Sequence, residues 1–255
     1  MKNVKDELQN IILGDEQTGS GSQLKKAQTF LRGYAQTSIS IEKQQRFKNE
    51  ETAALIAFCI EENLFYSPLI TVKDFISEGA EQKVYRFDDA HVLKTNQRVF
   101  YESWLDYFNS LLIHNFFFPA TAYTFLGFQI IDNELNAVVK QEFIIFNEAT
   151  NLEIVKEFLN YNGFKHKRNN DYFNPEIGLI FEDLHDENVL SYNGVLYFIE
   201  TVFYLTPVFY NKWIGFDVIF LIKKKASNHY LRLFHFNNLA KIINLKWFSV
   251  SPYTL

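Results

Sequence analysis

Residues 183–190 of this chain read DLHDENVL. The apolar run that begins there is followed by a turn and by a second apolar run, which ends in Glu200. Asp183 stands five residues before Asn188, and Asn-Gly at 193–194 predicts a tight hairpin turn between the two runs. An amide oxygen and a carboxylate are donors of the kind that bind Mg²⁺ together with phosphate oxygens, and a second carboxylate beside them can receive the proton of a hydroxyl group or orient it. The segment therefore predicts a hairpin that places such donors side by side, although an acidic surface turn would have a similar sequence.

The composition indicates a folded protein of a reducing compartment. Of the 255 residues 47% are hydrophobic, including 27 Phe and 14 Tyr, which is enough to bury a full core. A net charge of −5 gives no reason to expect nucleic-acid binding, and no run of about 18 uncharged apolar residues predicts a membrane span. Cys59 is the single cysteine, and the N-terminus lacks the apolar run of a signal peptide. We therefore expect a cytoplasmic protein without a membrane partner.

The order of elements predicts an α+β protein in three parts. Residues 1–65 carry spaced apolar positions among Lys, Gln, Glu and Ala, and predict a helical extension that packs on the remainder. Residues 66–143 contain five short runs rich in β-branched and aromatic residues, with a helix over 98–118 between the third and the fourth. Residues 144–255 begin with a helix capped by Thr150, and we expect this last part to be reduced in size and mostly helical.

Candidate binding residues occur along the middle part. Gly79 lies in SEGAEQKVY at the first strand turn, where a glycine lets backbone approach phosphates, and Val84 would then cover a nucleotide base. Lys94 ends the third strand, HVLK, where an inward ammonium would lie over phosphates. Glu102 falls in the first turns of the next predicted helix, where it would pair with Lys94. An ordinary turn, an edge lysine and a solvent-facing glutamate are the plainer interpretations of these residues.

A hinge is predicted at residues 138–143, which read VVKQEF. The backbone of Glu142 and Phe143 would there meet the edge of an adenine ring. A turn glycine, a strand lysine, a helix glutamate, a hinge, an acid five residues before an asparagine and a terminal acid occur in the order that phosphoryl transfer from ATP requires. No single feature is specific, but their order favours a kinase-like arrangement.

These segments resemble the serine/threonine/tyrosine kinase-like domain of polyvalent proteins. That family occurs in bacterial phages and conjugative elements, and belongs to the protein-kinase and aminoglycoside-phosphotransferase superfamily. The resemblance rests on EGAEQKVY, HVLK, NPEIGLIFEDLHDENVL and FIETVFY, and covers roughly residues 1–210. It implies a two-lobed protein-kinase-like fold that uses ATP and Mg²⁺. By the resemblance, Asp183 is the catalytic aspartate, Asn188 and Glu200 are metal ligands, and Lys94 binds phosphate.

The chain departs from the usual kinase pattern around the same motif. Glu200 stands where the Asp of Asp-Phe-Gly is expected, and Phe181 and Glu182 replace the His and Arg that precede the catalytic aspartate. His185 matches the Asp-x-His-x-x-Asn form of small-molecule phosphotransferases. The sequence after Glu200 is short, which implies a reduced C-terminal lobe.

Three classes of function stay open at this point. The first is a kinase-like phosphotransferase that moves the ATP γ-phosphate to a hydroxyl of an unidentified protein or small molecule, with Asp183, Lys94 and Glu102 as catalytic residues. The second is a degenerate pseudokinase that binds nucleotide or a partner protein, for which Glu200 and the single loop glycine are the motivation. The third is a metal-dependent hydrolase or nuclease built on Glu182, Asp183, His185, Asp186 and Glu187. Adjacent side chains point in different directions, whereas a hydrolytic metal site needs ligands that converge from several elements, and this disfavours the third class.

Overall fold

The computed structural model describes residues 3–14, 22–37, 44–80 and 82–211. The part of the predicted C-terminal region that spans 212–255 lies outside the described residues. In the ranges described, no helix is both long and apolar enough to cross a membrane.

The helices of the extension share one hydrophobic core with the remainder of the described chain. They are α1 (Val4–Leu13), α2 (Ser22–Thr37) and α3 (Gln44–Glu61). Their buried apolar side chains pack in a cluster with aromatic side chains from the sheets and from the next helix. The largest fully buried side chains of the cluster include Trp104, Phe108, Phe128, Phe181, Phe203 and Phe209. The expectation that the extension packs on the core is confirmed, whereas the division of the chain into three domains stays a prediction.

An antiparallel sheet of five strands follows in the order β1-β2-β3-β5-β4. After a 3₁₀ turn at Val72–Asp74, its strands are β1 (Phe75–Glu78), β2 (Gln82–Arg86), β3 (His91–Asn96), β4 (Thr124–Ile131) and β5 (Glu134–Glu142). The register pairs Lys94 with both Val84 and Val139, and pairs Val92 with Gln141. Because side chains alternate between the two faces of a sheet, these five residues share one face. The five predicted strand runs are thus confirmed.

The helix between β3 and β4 is α4 (Trp104–Phe117), and it begins later than residue 98, where the sequence pattern places it. Ser103 caps the helix, and the buried carboxylate of Glu51 in α3 accepts its first two N–H groups at 2.8 and 3.4 Å. These acceptors satisfy donors that have no partner inside a helix, so they fix its start. Glu102 consequently precedes the helix and is exposed. A 3₁₀ turn at Pro119–Thr121 follows α4.

The described residues after β5 contain more strand than helix, contrary to the expectation of a mostly helical part. They form α5 (Leu152–Tyr161), β6 (Lys165–Arg168), β7 (Asp171–Asn174), β8 (Leu179–Glu182), β9 (Val189–Tyr192), β10 (Val195–Phe198), β11 (Val202–Leu205) and α6 (Pro207–Tyr210). One antiparallel sheet has the order β11-β8-β7-β6, and β9 pairs with β10 in a hairpin. The side chains of edge strand β6 are exposed and polar, so the strand has no apolar pattern to reveal it. The chain is α+β, as predicted.

The N-cap of α5 is Asn151, whose side chain accepts the Glu153 N–H at 3.0 Å. Thr150, the predicted cap, instead donates its hydroxyl to the Val189 carbonyl at the start of β9. This contact ties the approach to α5 to the hairpin, and a local capping pattern could not reveal it.

Candidate functional site

A cleft of about 870 Å³ separates the cleft-facing side of the five-stranded sheet from the loop before β9 and the end of the β9–β10 hairpin. The predicted site residues that line it are Gly79, Val84, Lys94, Glu142, Phe143, Asp183, Asn188 and Glu200. Glu102 is the one member of the predicted set that is not among the lining residues. Residues more than a hundred positions apart in sequence therefore meet in one cavity.

Asp183 follows β8 in a left-handed backbone conformation, with φ of +66°. This conformation is uncommon for residues that carry a side chain, and Asp and Asn adopt it more readily than most. The Asp183 carboxylate accepts the Asn188 Nδ2–H at 3.0 Å, and the Asp183 carbonyl accepts from the same nitrogen at 2.8 Å. The turn and the side-chain amide together hold the carboxylate in one orientation.

Asp183 has a second side-chain partner in His185. The His185 Nε2 lies 2.9 Å from the other carboxylate oxygen, and its Nδ1 lies 2.8 Å from Asn170 Nδ2. Since a carboxylate can only accept, the ring Nε2–H is the donor in the contact with Asp183. His185 thereby donates to Asp183, so both carboxylate oxygens are engaged by neighbours.

Asn188 and Glu200 lie side by side because of a backbone contact. The Asn188 carbonyl accepts the N–H groups of Ile199 and Glu200 at 3.0 and 3.4 Å, which joins the two ends of the hairpin. Both atoms of Asp183 that meet the Asn188 Nδ2 are acceptors, so the orientation of the amide is determined and its Oδ1 is the atom left for a cation.

The donor set fits Mg²⁺ bound jointly with a nucleotide. An amide oxygen from Asn188 and a carboxylate from Glu200 would supply two oxygen ligands, and Mg²⁺ ordinarily completes its octahedron with phosphate oxygens and water. Among the residues that the structure describes, no group of three His, Cys, Asp or Glu is placed to hold a metal ion by itself. The hydrolase hypothesis for residues 182–187 therefore receives no support.

Lys94 points into the structure, with a side chain buried to 3% exposure. Its ammonium donates to the Ile199 carbonyl at 2.8 Å, and the Tyr123 hydroxyl donates to the same oxygen at 2.9 Å. Burial lowers the pKa of Lys94, and the nearby charge of Glu200 acts in the opposite direction. The lysine predicted to bind phosphate is thus held next to the carboxylate predicted to bind metal.

The structure does not bring Glu102 to Lys94. No ion pair joins the two within the described chain, and Glu102 lies exposed ahead of α4 because the helix starts at Trp104. The carboxylate that acts on the Lys94 charge is that of Glu200. The structure therefore gives no support to the predicted pairing of Glu102 with Lys94.

The local geometry does not support the predicted contributions of Gly79 and Phe143 to cofactor binding. A Cβ added at Gly79 would meet only the Gln82 carbonyl, at 3.9 Å, so packing within the described chain does not demand glycine there. The N–H of Phe143 donates to the Ala90 carbonyl at 2.8 Å and is unavailable to a base. The next amide, that of Ile144, has no hydrogen bond to any described residue.

Two buried side-chain amides in the cleft were not identified from the sequence. Gln82 is 8% exposed and Gln141 is 2% exposed, and both line the cavity. They lie on the same sheet face as Val84 and Val92. Gln141 is a polar residue at a position of β5 where the alternating strand pattern predicts an apolar residue. That departure from the pattern is the signal that could have identified it.

The comparisons with known proteins bear on the whole cleft. A family model described as serine/threonine/tyrosine kinase found in polyvalent proteins matches residues 48–207, which is more than half of the chain. That range contains every residue that lines the cleft. Searches of curated proteins and of solved structures give no match. On the extent of the family match, the chain belongs to the family of serine/threonine/tyrosine kinases found in polyvalent proteins.

Proposed function

We propose that this protein is a phosphotransferase that moves the γ-phosphate of ATP, bound with Mg²⁺, to a hydroxyl of an acceptor. The family membership supports kinase chemistry. The observation that carries the proposal is the meeting of Lys94, Asp183, Asn188 and Glu200 in one cleft. In this proposal the five-stranded sheet belongs to one lobe of a protein-kinase-like fold, the hairpin and the second sheet belong to the other, and the nucleotide lies between them.

The wall formed by the sheet offers separate places for a base and for phosphates. Val84 and Val92 present apolar surface to the cleft, as a flat base requires. The N–H of Ile144, which has no hydrogen bond to any residue that the structure describes, is a donor for the base edge at the end of β5. An ammonium has three donors, and Lys94 uses one of them for a hydrogen bond within the described residues, so the others can reach phosphate oxygens.

The opposite wall would carry the metal and the acceptor chemistry. Asn188 and Glu200 would hold Mg²⁺, which when bound neutralises charge on the phosphates. Asp183 would accept the proton of the acceptor hydroxyl. The hydroxyl oxygen forms a bond to the γ-phosphorus while the bond between that phosphorus and the ADP oxygen breaks. Hydrogen bonds from Asn188 and His185 orient the carboxylate for that proton.

A module that binds nucleotide without transferring phosphate is the second candidate. The observation that favours it is the lack, within the described residues, of a carboxylate in ion-pair contact with Lys94. In that case the Lys94 side chain would assist binding, while the geometry needed for transfer would be incomplete. Binding and turnover must therefore be measured separately.

The test compares wild type with Asp183→Asn. We expect wild type to bind Mg-ATP in calorimetry and to release ADP or phosphorylate itself, as seen by mass spectrometry. Asp183→Asn should bind Mg-ATP within about 3-fold of wild type but lose turnover by roughly 100-fold or more, because the proton acceptor is removed. Asp132→Asn is the matched control, since Asp132 is exposed in the β4–β5 turn and also has positive φ, +52°. Wild-type binding without turnover would favour the second candidate, and absence of binding would refute both.

A further inference from the structure

The side chain of Gln141 has one amide atom without a hydrogen-bond partner among the residues that the structure describes. Gln141 lies near the end of β5 on the cleft wall and is 2% exposed. Its Nε2 donates to the Thr121 carbonyl at 2.6 Å, whereas its Oε1 is buried and forms no hydrogen bond within the described residues. A buried acceptor that has lost water without gaining a donor is unfavourable, so it calls for an explanation.

The surrounding network determines which amide atom is left over. The Thr121 carbonyl also accepts the Nε2–H of His114 at 2.8 Å, and the Nδ1 of that ring lies 2.8 Å from the Thr201 hydroxyl. Burial lowers the pKa of His114 to about 3, so the ring is neutral and keeps this pattern near pH 7. A carbonyl cannot donate, so a reversed Gln141 amide would place two acceptors together. The free atom is therefore Oε1, an acceptor.

The place of this acceptor in the cleft suggests its ligand. Gln141 pairs in register with Val92, which offers apolar surface for the base, and Ile144 follows it by three positions. Adenine carries an amino group on the edge where guanine carries a carbonyl oxygen. An acceptor at that edge gains a hydrogen bond from adenine but faces another acceptor in guanine.

We propose that Gln141 Oε1 accepts a hydrogen bond from the amino group of adenine and makes the cleft selective for ATP over GTP. The proposal rests on the proposed nucleotide-binding function and adds a residue that determines specificity. The Thr121 carbonyl holds the amide in place from behind, so the acceptor is oriented before the nucleotide arrives.

The test titrates the full chain in calorimetry with Mg-ATP, Mg-GTP and Mg-purine riboside triphosphate, which lacks the amino group. Wild type should bind ATP about 10- to 100-fold more tightly than either of the others, the range expected when a buried acceptor loses its donor. Gln141→Leu should reduce these ratios to within about 3-fold. Gln82→Leu is the matched control, because it removes the other buried amide of the cleft, next to the Gly79 turn. It should change all three affinities by a common factor and leave the ratios intact.

The wild-type affinities for the three nucleotides test the proposal even if Gln141→Leu folds poorly. Thermal melting shows whether that variant is folded. Equal wild-type affinities for the three nucleotides would overturn the proposal while leaving the phosphotransferase function in place. Unchanged ratios in a folded Gln141→Leu would also overturn it. Failure of every nucleotide to bind would overturn this proposal together with the proposed function.

Discussion

Replacing Lys94 with Met should weaken nucleotide binding without destabilising the protein. The ammonium is buried, its one hydrogen bond within the described protein is to the Ile199 carbonyl, and it lies 5.6 Å from the centre of the Tyr123 ring. Methionine fills a similar volume without a charge, so the cost of stripping water from the ammonium disappears. The Ile199 carbonyl keeps the Tyr123 hydroxyl as a donor, so no buried acceptor is left unpaired. Stability and binding should therefore respond in opposite directions, as is common for a charge retained for function.

The size of the effect follows from these contacts. Loss of one charge-assisted hydrogen bond costs about 1.5–3 kcal/mol, and removal of the buried charge returns several kcal/mol, part of which the attraction of Glu200 offsets. We expect the free energy of unfolding to be about 0–2 kcal/mol higher in Lys94→Met, or roughly 0–8 °C in Tm. Mg-ATP affinity should fall by about tenfold or more, because a phosphate contact is lost.

The pH dependence supplies a second readout for Lys94. Its pKa is lower in the folded state than the ordinary 10.5, so the unfolded chain binds more protons between the two values. Wild-type stability therefore gains from this group as pH rises toward 10.5, and the advantage of Lys94→Met should shrink over the same window. Denaturant titrations at neutral and alkaline pH measure this change.

Lys140→Met is the matched control, because it removes a lysine from β5, the strand that pairs with β3. Lys140 precedes Gln141 and faces the other side of the sheet, with its ammonium 5.6 Å from the centre of the Phe87 ring. We expect its stability to change by less than about 0.5 kcal/mol and its nucleotide affinity to stay unchanged. A loss of more than about 2 kcal/mol in Lys94→Met with unaltered Mg-ATP affinity would refute the reasoning, since it would show that the lysine is structural.

Three further predictions concern other described residues. Burial lowers the pKa of His114 to about 3, so on acidification the unfolded chain takes up a proton before the folded chain does. The free energy of unfolding should therefore fall by about 1.4 kcal/mol per pH unit from pH 6.5 toward 3. Denaturant titrations measure this decrease, and His114→Gln should lack it. Glu51→Ala should lower the free energy of unfolding by about 1–3 kcal/mol because the first two N–H groups of α4 lose their buried acceptor, whereas Glu61→Ala, at an exposed position of α3, should change it by less than about 0.5 kcal/mol. Glu200→Asp should preserve or raise transfer in a turnover assay, and Glu200→Ala should weaken Mg²⁺-dependent ATP binding in calorimetry; equal affinities in wild type and Glu200→Ala would contradict the metal-binding role.

Local sequence patterns were sufficient to predict much of the scaffold. The β-branched runs correspond to β1–β5, and Asn193 and Gly194 both have the positive φ that their hairpin turn requires. The order of Lys94, Asp183, Asn188 and Glu200 also predicted which side chains line the cleft. The strand runs and the hairpin turn depend on side-chain alternation and turn chemistry between near neighbours, and such information is present in a short window of sequence, whereas the order of the four cleft residues extends over more than a hundred positions.

Contacts between distant segments decided the remainder, because the partner of a helix end, an ammonium or an amide can come from anywhere in the chain. Glu51 in α3 accepts the first two N–H groups of α4 and so fixes the start of that helix, which leaves Glu102 outside it and away from Lys94. Lys94 finds its partner at Ile199, 105 positions away, through the packing of the sheet against the hairpin. The free acceptor of Gln141 likewise exists only because the Thr121 carbonyl holds the other end of the amide. The sequence by itself determined which groups are available for chemistry, and the tertiary structure determined which of them meet and which atoms they leave for a ligand.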